Sequence, residues 1–451
     1  MDEGLVATAS SIVDRGLRLG LDEVAVSLTR EVSRQVRFSN SAITVTKTWD
    51  SVTADILASK DGRIATYTTA NVSEEAIKRG LRRLRGLLAV IKPHESYAPL
   101  PEGPFSYEPV RGLFDDRVPR LREECVGYVE DAISSALESG AREVSGTLFV
   151  GWSSEVLETS RGARACERRS SIHITVRGSA DTKEGKVYGM GVSCGRALGQ
   201  FDPGRAGADA GTYARMSTEL VKAEEGRYDT VFGRPGIGNL LNFLSLMTSA
   251  FYVDSGLSFL VGKIGEGVAS ERVTLRDDPR MAGGLGSRSF DREGRPTRPT
   301  VLIDGGVLRT YLHNRLTAKK FKAEPTANAG WIAPRPWNVC LSAGDLTDEE
   351  LLSEVRDGLF INNVTYLRFH NYRTGDFSAI VRDGVFRVRN GEIVGAVRGL
   401  RLSDNMGRMM EAVAGLSDRR EQVFHWWCEA GIPATTPMML VRGCRFTLPT
   451  A

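Results

Sequence analysis

At 451 residues the chain exceeds the usual size of a single domain, so two or three domains are expected. It is 41% apolar and 25% charged, ordinary values for a globular protein that buries a real core. Net charge is +3, from 59 basic against 56 acidic residues, a balance that argues against nucleic acid as the main partner.

In chain order, Leu5, Ile12, Val13 and Leu17 recur at helical spacing and predict an amphipathic helix over residues 3–19. Strands are expected at 24–29, 34–38, 42–47, 52–58 and 63–68. Turns fall at Ser39-Asn40-Ser41 and Asp61-Gly62, and Asp-Gly permits the positive φ angles of a tight hairpin. A helix over 72–91 follows, with Ser73 as N-cap ahead of Glu74 and Glu75. Pro93, Pro99, Pro101, Pro104 and Pro109 then mark a linker, because proline lacks an amide donor and continues neither a helix nor a central strand. Beyond it the pattern predicts a helix over 120–139 closed by Gly140, strands at 143–151, 155–159, 170–177 and 187–193, and a helix near 213–224. A third region opens at Tyr228, with a helical segment over 240–253. Two hairpins follow, at 301–308 through Asp304-Gly305-Gly306 and at 386–394 through Asn390-Gly391. No internal repeat is visible. The expected fold class is α+β, with an N-terminal α+β domain over 1–98, a middle α+β domain over 110–226 and a β-rich antiparallel domain over 227–451.

Six sparse cysteines (Cys125, Cys166, Cys194, Cys340, Cys428 and Cys444) form no C-x-x-C pair and read as reduced thiols. The N-terminal segment starts acidic and lacks the basic and apolar blocks of a signal peptide. The longest apolar stretch, 240–253, carries Asn242, Ser245, Thr248 and Ser249, and is too short and polar to span a bilayer. A cytoplasmic protein is expected.

Metal-assisted hydrolysis needs two or three imidazoles or carboxylates on the metal and a carboxylate base beside them. The five histidines, His94, His173, His313, His370 and His425, contain no H-x₃₋₅-H pair, which leaves only a site assembled from distant strands. Gly191-Val192-Ser193-Cys194-Gly195 matches the G-x-S-x-G nucleophile elbow. That motif needs a strand-to-helix turn in a parallel sheet, and the surrounding elements do not alternate that way. Gly233-Arg234-Pro235-Gly236-Ile237-Gly238 precedes a helix, where backbone amides can hold an anion. No P-loop lysine follows, so a glycine-rich helix entry is the better reading. The loop Gly283-Gly284-Leu285-Gly286-Ser287 leads into Arg288, Ser289, Phe290 and Asp291. It reads either as a structural connector or as the lining of a peptide groove or subunit contact, which makes those four residues the contact candidates.

SFLVGKIGE from Ser258, DDP from Asp277, GLGSRSFDREG from Gly284, LIDGGVLRTYL from Leu302 and GDFS from Gly375 occur in this order. Together with Val36-Arg37-Phe38-Ser39-Asn40-Ser41 the series resembles the PmbA/TldD family. The resemblance implies an α+β N-terminal part and a β-rich C-terminal part that assembles with a partner. TldD-type members are zinc peptidases with a His-Glu-x-x-x-His motif. Counted back from Val268-Ala269-Ser270, the matching positions here hold Leu241-Asn242-Phe243-Leu244-Ser245-Leu246. Leucine cannot ligate a metal, and an amide has no useful proton affinity as a base.

The family's metal-ligating cysteine corresponds loosely to Cys428, which reads either as a remnant ligand or as a core thiol. The resemblance therefore implies a PmbA/TldE-type chain with no catalytic or metal-binding residue and no cofactor of its own, zinc being expected in a TldD-type partner. It also implies a peptide or unfolded-polypeptide substrate and a family-type dimer, homomeric or heteromeric. Nothing in the residue chemistry supports direct contact with nucleic acid or membrane, although the family name is linked to DNA gyrase. The alternatives are a stand-alone hydrolase using Cys428 with His425, or Ser193, and a peptide-binding regulatory protein without peptidase activity.

Overall fold

The computed structural model describes residues 3–448; residues 1–2 and 449–451 lie outside it. The first unit comprises α1 (Glu3–Arg18), β1 (Glu23–Ser39), β2 (Ala42–Lys60), β3 (Arg63–Thr69) and α2 (Glu74–Val90). The second comprises α3 (Glu124–Glu138), β4 (Glu143–Thr159), β5 (Arg164–Thr182), β6 (Gly185–Gly195) and α4 (Pro203–Met216). Both run αβββα, so the expectation of no internal repeat is corrected. The repeat lies in element order, not in residue identity. The six strands form one antiparallel sheet in the order β3-β2-β1-β4-β5-β6, with the halves meeting at β1 and β4.

Strand alternation gives this sheet two unlike faces. On one face Val24, Val26, Leu28, Ile56 and Ala58 are buried against α1 and α2. Further along the same face Val36, Phe38, Leu148, Val150, Ile172 and Ile174 are buried against α3 and α4. Between these two cores runs a polar belt, where Arg30 pairs with Asp50 at 2.8 Å and both Arg30 and Arg168 lie over Trp152. The belt explains a correction. Segments 24–29 and 34–38 are one strand, as are 42–47 with 52–58 and 143–151 with 155–159, because the polar interruptions cross the gap between cores without leaving the ladder. The turns at Asn40-Ser41 and Asp61-Gly62 take the positive φ angles a tight hairpin needs, 51° and 60°, then 48° and 73°.

Two helices start elsewhere than expected. α3 begins at Glu124, after a short turn at Val118–Arg120. The helix expected near 213–224 is α4, begun by Asp202, whose side chain accepts from Arg205 N at 2.8 Å, with Pro203 in the first turn. Its glycines and alanines read as loop, yet they permit close approach. A Cβ on Gly207 would lie 2.2 Å from Ala132 O of α3, and one on Gly191 of β6 would lie 2.0 Å from Ala206 O.

The C-terminal region is β-rich and mostly antiparallel, with one seven-stranded and one six-stranded sheet. Two pairs are parallel: β7 (Gly226–Phe232) with Asp357–Asn371, and Val339–Leu341 with Ala434–Thr436. α5 (Arg234–Met247) is packed into the core between these sheets. The single helix expected over 240–253 starts earlier and is interrupted. Thr248 caps α5, its hydroxyl donating back to Ser245 O at 2.7 Å, and Ala250–Asp254 is a separate turn of helix. Both expected hairpins are present, Thr300–Asp304 with Val307–Leu308 and Asp376–Arg389 with Glu392–Ala396. Among the described residues no helix is long and apolar enough to cross a membrane.

The proline-rich segment is a strap, not a free spacer. Leu100 N donates to Glu23 Oε1 at 3.0 Å, Tyr107 OH to Gly294 O at 2.6 Å, and Arg315 Nε to Ala98 O at 2.8 Å, so it ties the first unit to the C-terminal loops.

Close packing of α4 is testable by contrast with Gly86, whose Cβ position on α2 is open. Gly86→Ala should stabilise by up to about 1 kcal/mol through helix propensity. Gly207→Ala should destabilise by about 1–3 kcal/mol through overpacking, both read from urea unfolding midpoints.

Candidate functional site

The second face of the sheet is polar and lies under the C-terminal loops, and the two border an open cavity of about 700 Å³. Its floor is every other residue of neighbouring strands: Glu31 and Ser33 of β1, Phe149 and Gly151 of β4, and Arg169, Ser171 and His173 of β5. Its roof carries Arg288 and Arg292 from the 283–294 loop, Trp331, Arg335 and Trp337 from the 330–337 loop, and Phe424, Gly431 and Pro433.

One carboxylate joins floor to roof. Glu155 of β4 is fully buried, and both its oxygens are doubly engaged. Oε1 accepts from Ser27 Oγ at 2.9 Å and from Arg292, while Oε2 accepts from Arg288 at 3.0 Å and from Arg169. Burial pushes this carboxyl up, but the Arg292, Arg288 and Arg169 charges outweigh it and hold it well below the usual carboxylate range. Directly across the ladder stands Glu167, which accepts from Arg169 at 2.9 Å and from Ser289 N and Oγ at 2.9 and 2.6 Å.

Arg196 is equally buried but has no carboxylate. It donates to Gly284 O at 3.0 Å, Ser170 O at 2.9 Å, Ser287 O at 3.2 Å and Leu285 O. Burial, followed by the Arg169 charge, pulls its guanidinium down to about 9. This arginine holds the glycine-rich loop tightly turned. Gly286 is required there, since a Cβ would lie 1.7 Å from Trp337 O.

Of the four contact candidates, Arg288 lines the cavity, its guanidinium 4.3 Å from the Trp337 ring centre. The next three are buried beneath it. Ser289 binds Glu167; Phe290 packs with Leu157, Ala165 and, 5.8 Å away, Tyr107. Asp291 accepts from Glu293 N and Arg295 N at 2.9 Å and from Ala329 N at 3.1 Å, and burial together with the Glu293 charge raises its carboxyl to about 7. Sequence reasoning missed Glu155, Arg169, Arg196, Arg292 and Arg335. The available signal was charge at alternate positions of otherwise strand-like segments.

At one end of the cavity, next to Gly431 and Pro433, the Cys428 loop meets α5. Asn242 is fully buried, and its amide pairs with the backbone of Ile432. Nδ2 donates to Ile432 O at 2.6 Å and to Gly238 O at 2.9 Å, and Oδ1 accepts from Ile432 N at 3.2 Å. A carboxylate could not replace it, having no N–H to give.

Residues 225–448 match the family model described as PmbA/TldA metallopeptidase C-terminal domain. A Methanothermobacter thermautotrophicus metalloprotease is 35% identical over 213 residues, 44% of this chain and 45% of that protein, so the match spans less than half of either. A Thermotoga maritima protein described as a modulator of a DNA gyrase superposes with TM-score 0.87 at 23% identity, covering 98% of this chain and all of that one. TldE of Thermococcus kodakarensis superposes with TM-score 0.86 at 18% identity, covering 98% and 100%. At these identities the two structures show a shared fold.

The chain belongs to the PmbA/TldD family.

The zinc of that family's peptidases does not fit the residues present here. On the register that the family resemblance implies, the ligand pair falls on Leu241 and Leu246, which offer no donor atom, and Asn242 is held by backbone. The Cys428 thiol is pushed up to about 11 by burial. His173 and His425, both near 4 through burial, lie close enough for the charge of His425 to depress His173. Among the described residues no group of three or more His, Cys, Asp or Glu side chains could hold a metal ion. Ser193 offers no elbow either. It sits within β6 opposite Ile174, and its hydroxyl accepts from Asp202 N at 2.9 Å.

Glu155→Gln should cost about 3–5 kcal/mol, because three guanidiniums lose a buried charge partner. The folded carboxyl lies below its unfolded value of about 4.3, so the stabilisation is complete above that pH and is lost as pH falls toward the folded-state value. Urea midpoints followed from pH 7 to pH 3 should fall more steeply below about pH 4.3 in the parent chain than in Glu155→Gln.

Proposed function

We propose that this chain is a PmbA/TldE-type subunit that supplies structure, and no metal chemistry, to a TldD/TldE zinc metallopeptidase acting on peptides or unfolded polypeptides. The observation that carries the reading is Asn242. Where a TldD-type chain has the general base of its His-Glu motif, this chain has an amide whose donor and acceptor are both held by neighbouring backbone. Such a group cannot take a proton from a metal-bound water.

The zinc and the amide hydrolysis belong to a TldD-type partner, in a family-type dimer in the cytoplasm. This chain contributes cavity walls. Arg288 faces the substrate or partner, and Ser289, Phe290 and Asp291 hold it in place. Likeness to a structure named TldE supports this reading, as does the alignment with a curated metalloprotease across less than half of its length. Nucleic acid and membrane have no part in it. Stand-alone hydrolysis finds no support in Cys428, whose thiol is kept protonated by burial, or in Ser193, which lies within an antiparallel strand.

The test is purification of the chain alone and with a TldD-type chain, followed by zinc analysis and cleavage of an unfolded peptide. The expected result is stoichiometric zinc and cleavage in the pair and neither in the lone chain. Stoichiometric zinc with full activity in the lone chain overturns the reading. A second check is Asn242→Asp, which sets a carboxylate against the Ile432 and Gly238 carbonyls. It should destabilise the chain by about 1–3 kcal/mol or more in urea unfolding, and added zinc should not restore stability.

A further inference from the structure

We infer that the cavity binds the C-terminal carboxylate of a peptide, with Arg335 as the cation that pairs with it. The inference rests on the subunit reading for its choice of a peptide as ligand; the charge and shape arguments stand on the cavity itself.

Charge comes first. Arg169, Arg196, Arg288, Arg292 and Arg335 line the cavity. Glu31 and Asp55 also line it, Glu155 and Glu167 lie at its base, and Asp277 lies near enough to Arg335 to act on its charge, so carboxylates and guanidiniums match in number. What sets Arg335 apart is that its guanidinium has no bonded partner among the described residues. Three of the other arginines are bonded to Glu155, and Arg196 is enclosed by carbonyls. Arg335 makes no ion pair or side-chain hydrogen bond among the described residues. Asp277 behind it is directed instead at Trp337 N, Asn338 N and Asn328 Nδ2, at 2.8, 2.7 and 2.6 Å.

The Arg335 backbone is fixed while its head group stays free: its N donates to Asn328 O at 2.9 Å, and Gly330 N donates to Ala333 O at 3.1 Å across the same turn. A guanidinium without a bonded partner, carried on a fixed backbone, can take a planar carboxylate through two parallel hydrogen bonds.

Shape comes second. Ser33, Gly151 and Ser171 are in register on three adjacent strands and leave a shallow trough across the floor. One side of it is aromatic, with Phe149 stacked on His173 at 5.0 Å and Phe424 edge-on to that imidazole at 5.1 Å. Two buried polar atoms beside the cavity have no protein partner, Trp331 Nε1 and His173 Nδ1. The indole N–H suits a peptide carbonyl. The imidazole nitrogen suits a peptide N–H or carbonyl according to tautomer. About 700 Å³ is room for a short peptide end.

The experiment is calorimetric titration of the full-length lone chain with an apolar tetrapeptide bearing a free C-terminal carboxylate, with its C-terminal amide, and with inorganic phosphate. The acid should bind about tenfold or more tighter than the amide, as expected for one charge-assisted pair. Arg335→Gln should abolish the preference and leave the urea midpoint unchanged, since the side chain is exposed. Ser33→Leu, which fills the trough, should weaken acid and amide alike. Equal binding of acid and amide, absence of binding, a preference that survives Arg335→Gln, or displacement of the peptide by equimolar phosphate would each overturn the inference. Zinc and cleavage are not read in this experiment, so it can fail while the subunit reading stands, and the reverse.

Discussion

Two glutamates facing each other across a β-ladder, Glu155 and Glu167, set the condition that the rest of the molecule satisfies. Like charges directly opposite destabilise a sheet, and desolvation makes the conflict worse. Arg169, on the neighbouring position of β5, reaches both carboxylates but cannot neutralise both. The remaining partners come from the C-terminal loop: Arg288 and Arg292 for Glu155, and the Ser289 backbone and hydroxyl for Glu167. A carboxylate offers about four acceptor sites, and Glu155 uses four. The loop is therefore held in one position, and the cavity roof with it. A hydrophobic contact of equal area would be non-directional and could not fix that position as narrowly.

The duplicated αβββα arrangement explains why such charges lie on this face at all. All four helices sit on one side of the sheet, over two separate apolar cores. The other side is left without helices, and an antiparallel sheet tolerates a polar second face. Here loops cover part of that face, and most of the polar groups they bury are partnered, as around Glu155 and Glu167. The strap of prolines joins the two arrangements. It crosses from Glu23 at the start of β1 to Gly294 at the end of the arginine-bearing loop.

Much of the fold was legible because its signals are local. Asp61-Gly62 and Asn390-Gly391 dictate their turns from two residues, and Ser73 ahead of Glu74 and Glu75 marks a helix start. What failed depended on distant neighbours. The polar middles of β1, β2 and β4 look like strand ends until the gap between two cores is known. α4 looks like a loop until its glycines are seen against Ala132 O and Ala136 O. In the site, the motif series led to Arg288, which does line the cavity. Glu155, Arg169, Arg196 and Arg335 carry no motif, and in an arginine-rich chain nothing local separates them from surface residues. Their meaning comes from partners that are mostly 70 to 140 positions away, or, for Arg335, from having none.

Asn242 links the fold to the proposed role more closely than the loss of ligands alone. In a metallopeptidase the metal itself would help to hold its cysteine loop against the helix. Here the Asn242 amide grips both polar groups of Ile432 and steadies the loop between Cys428 and Pro433. Gly431 and Pro433 of that same loop border the cavity. A substitution that merely destroyed a metal site would leave this wall unsupported, whereas asparagine replaces one tether with another. Under the subunit reading, selection on this chain acts on the shape of the chamber. That accounts for a buried amide at the position where catalysis would have required a carboxylate.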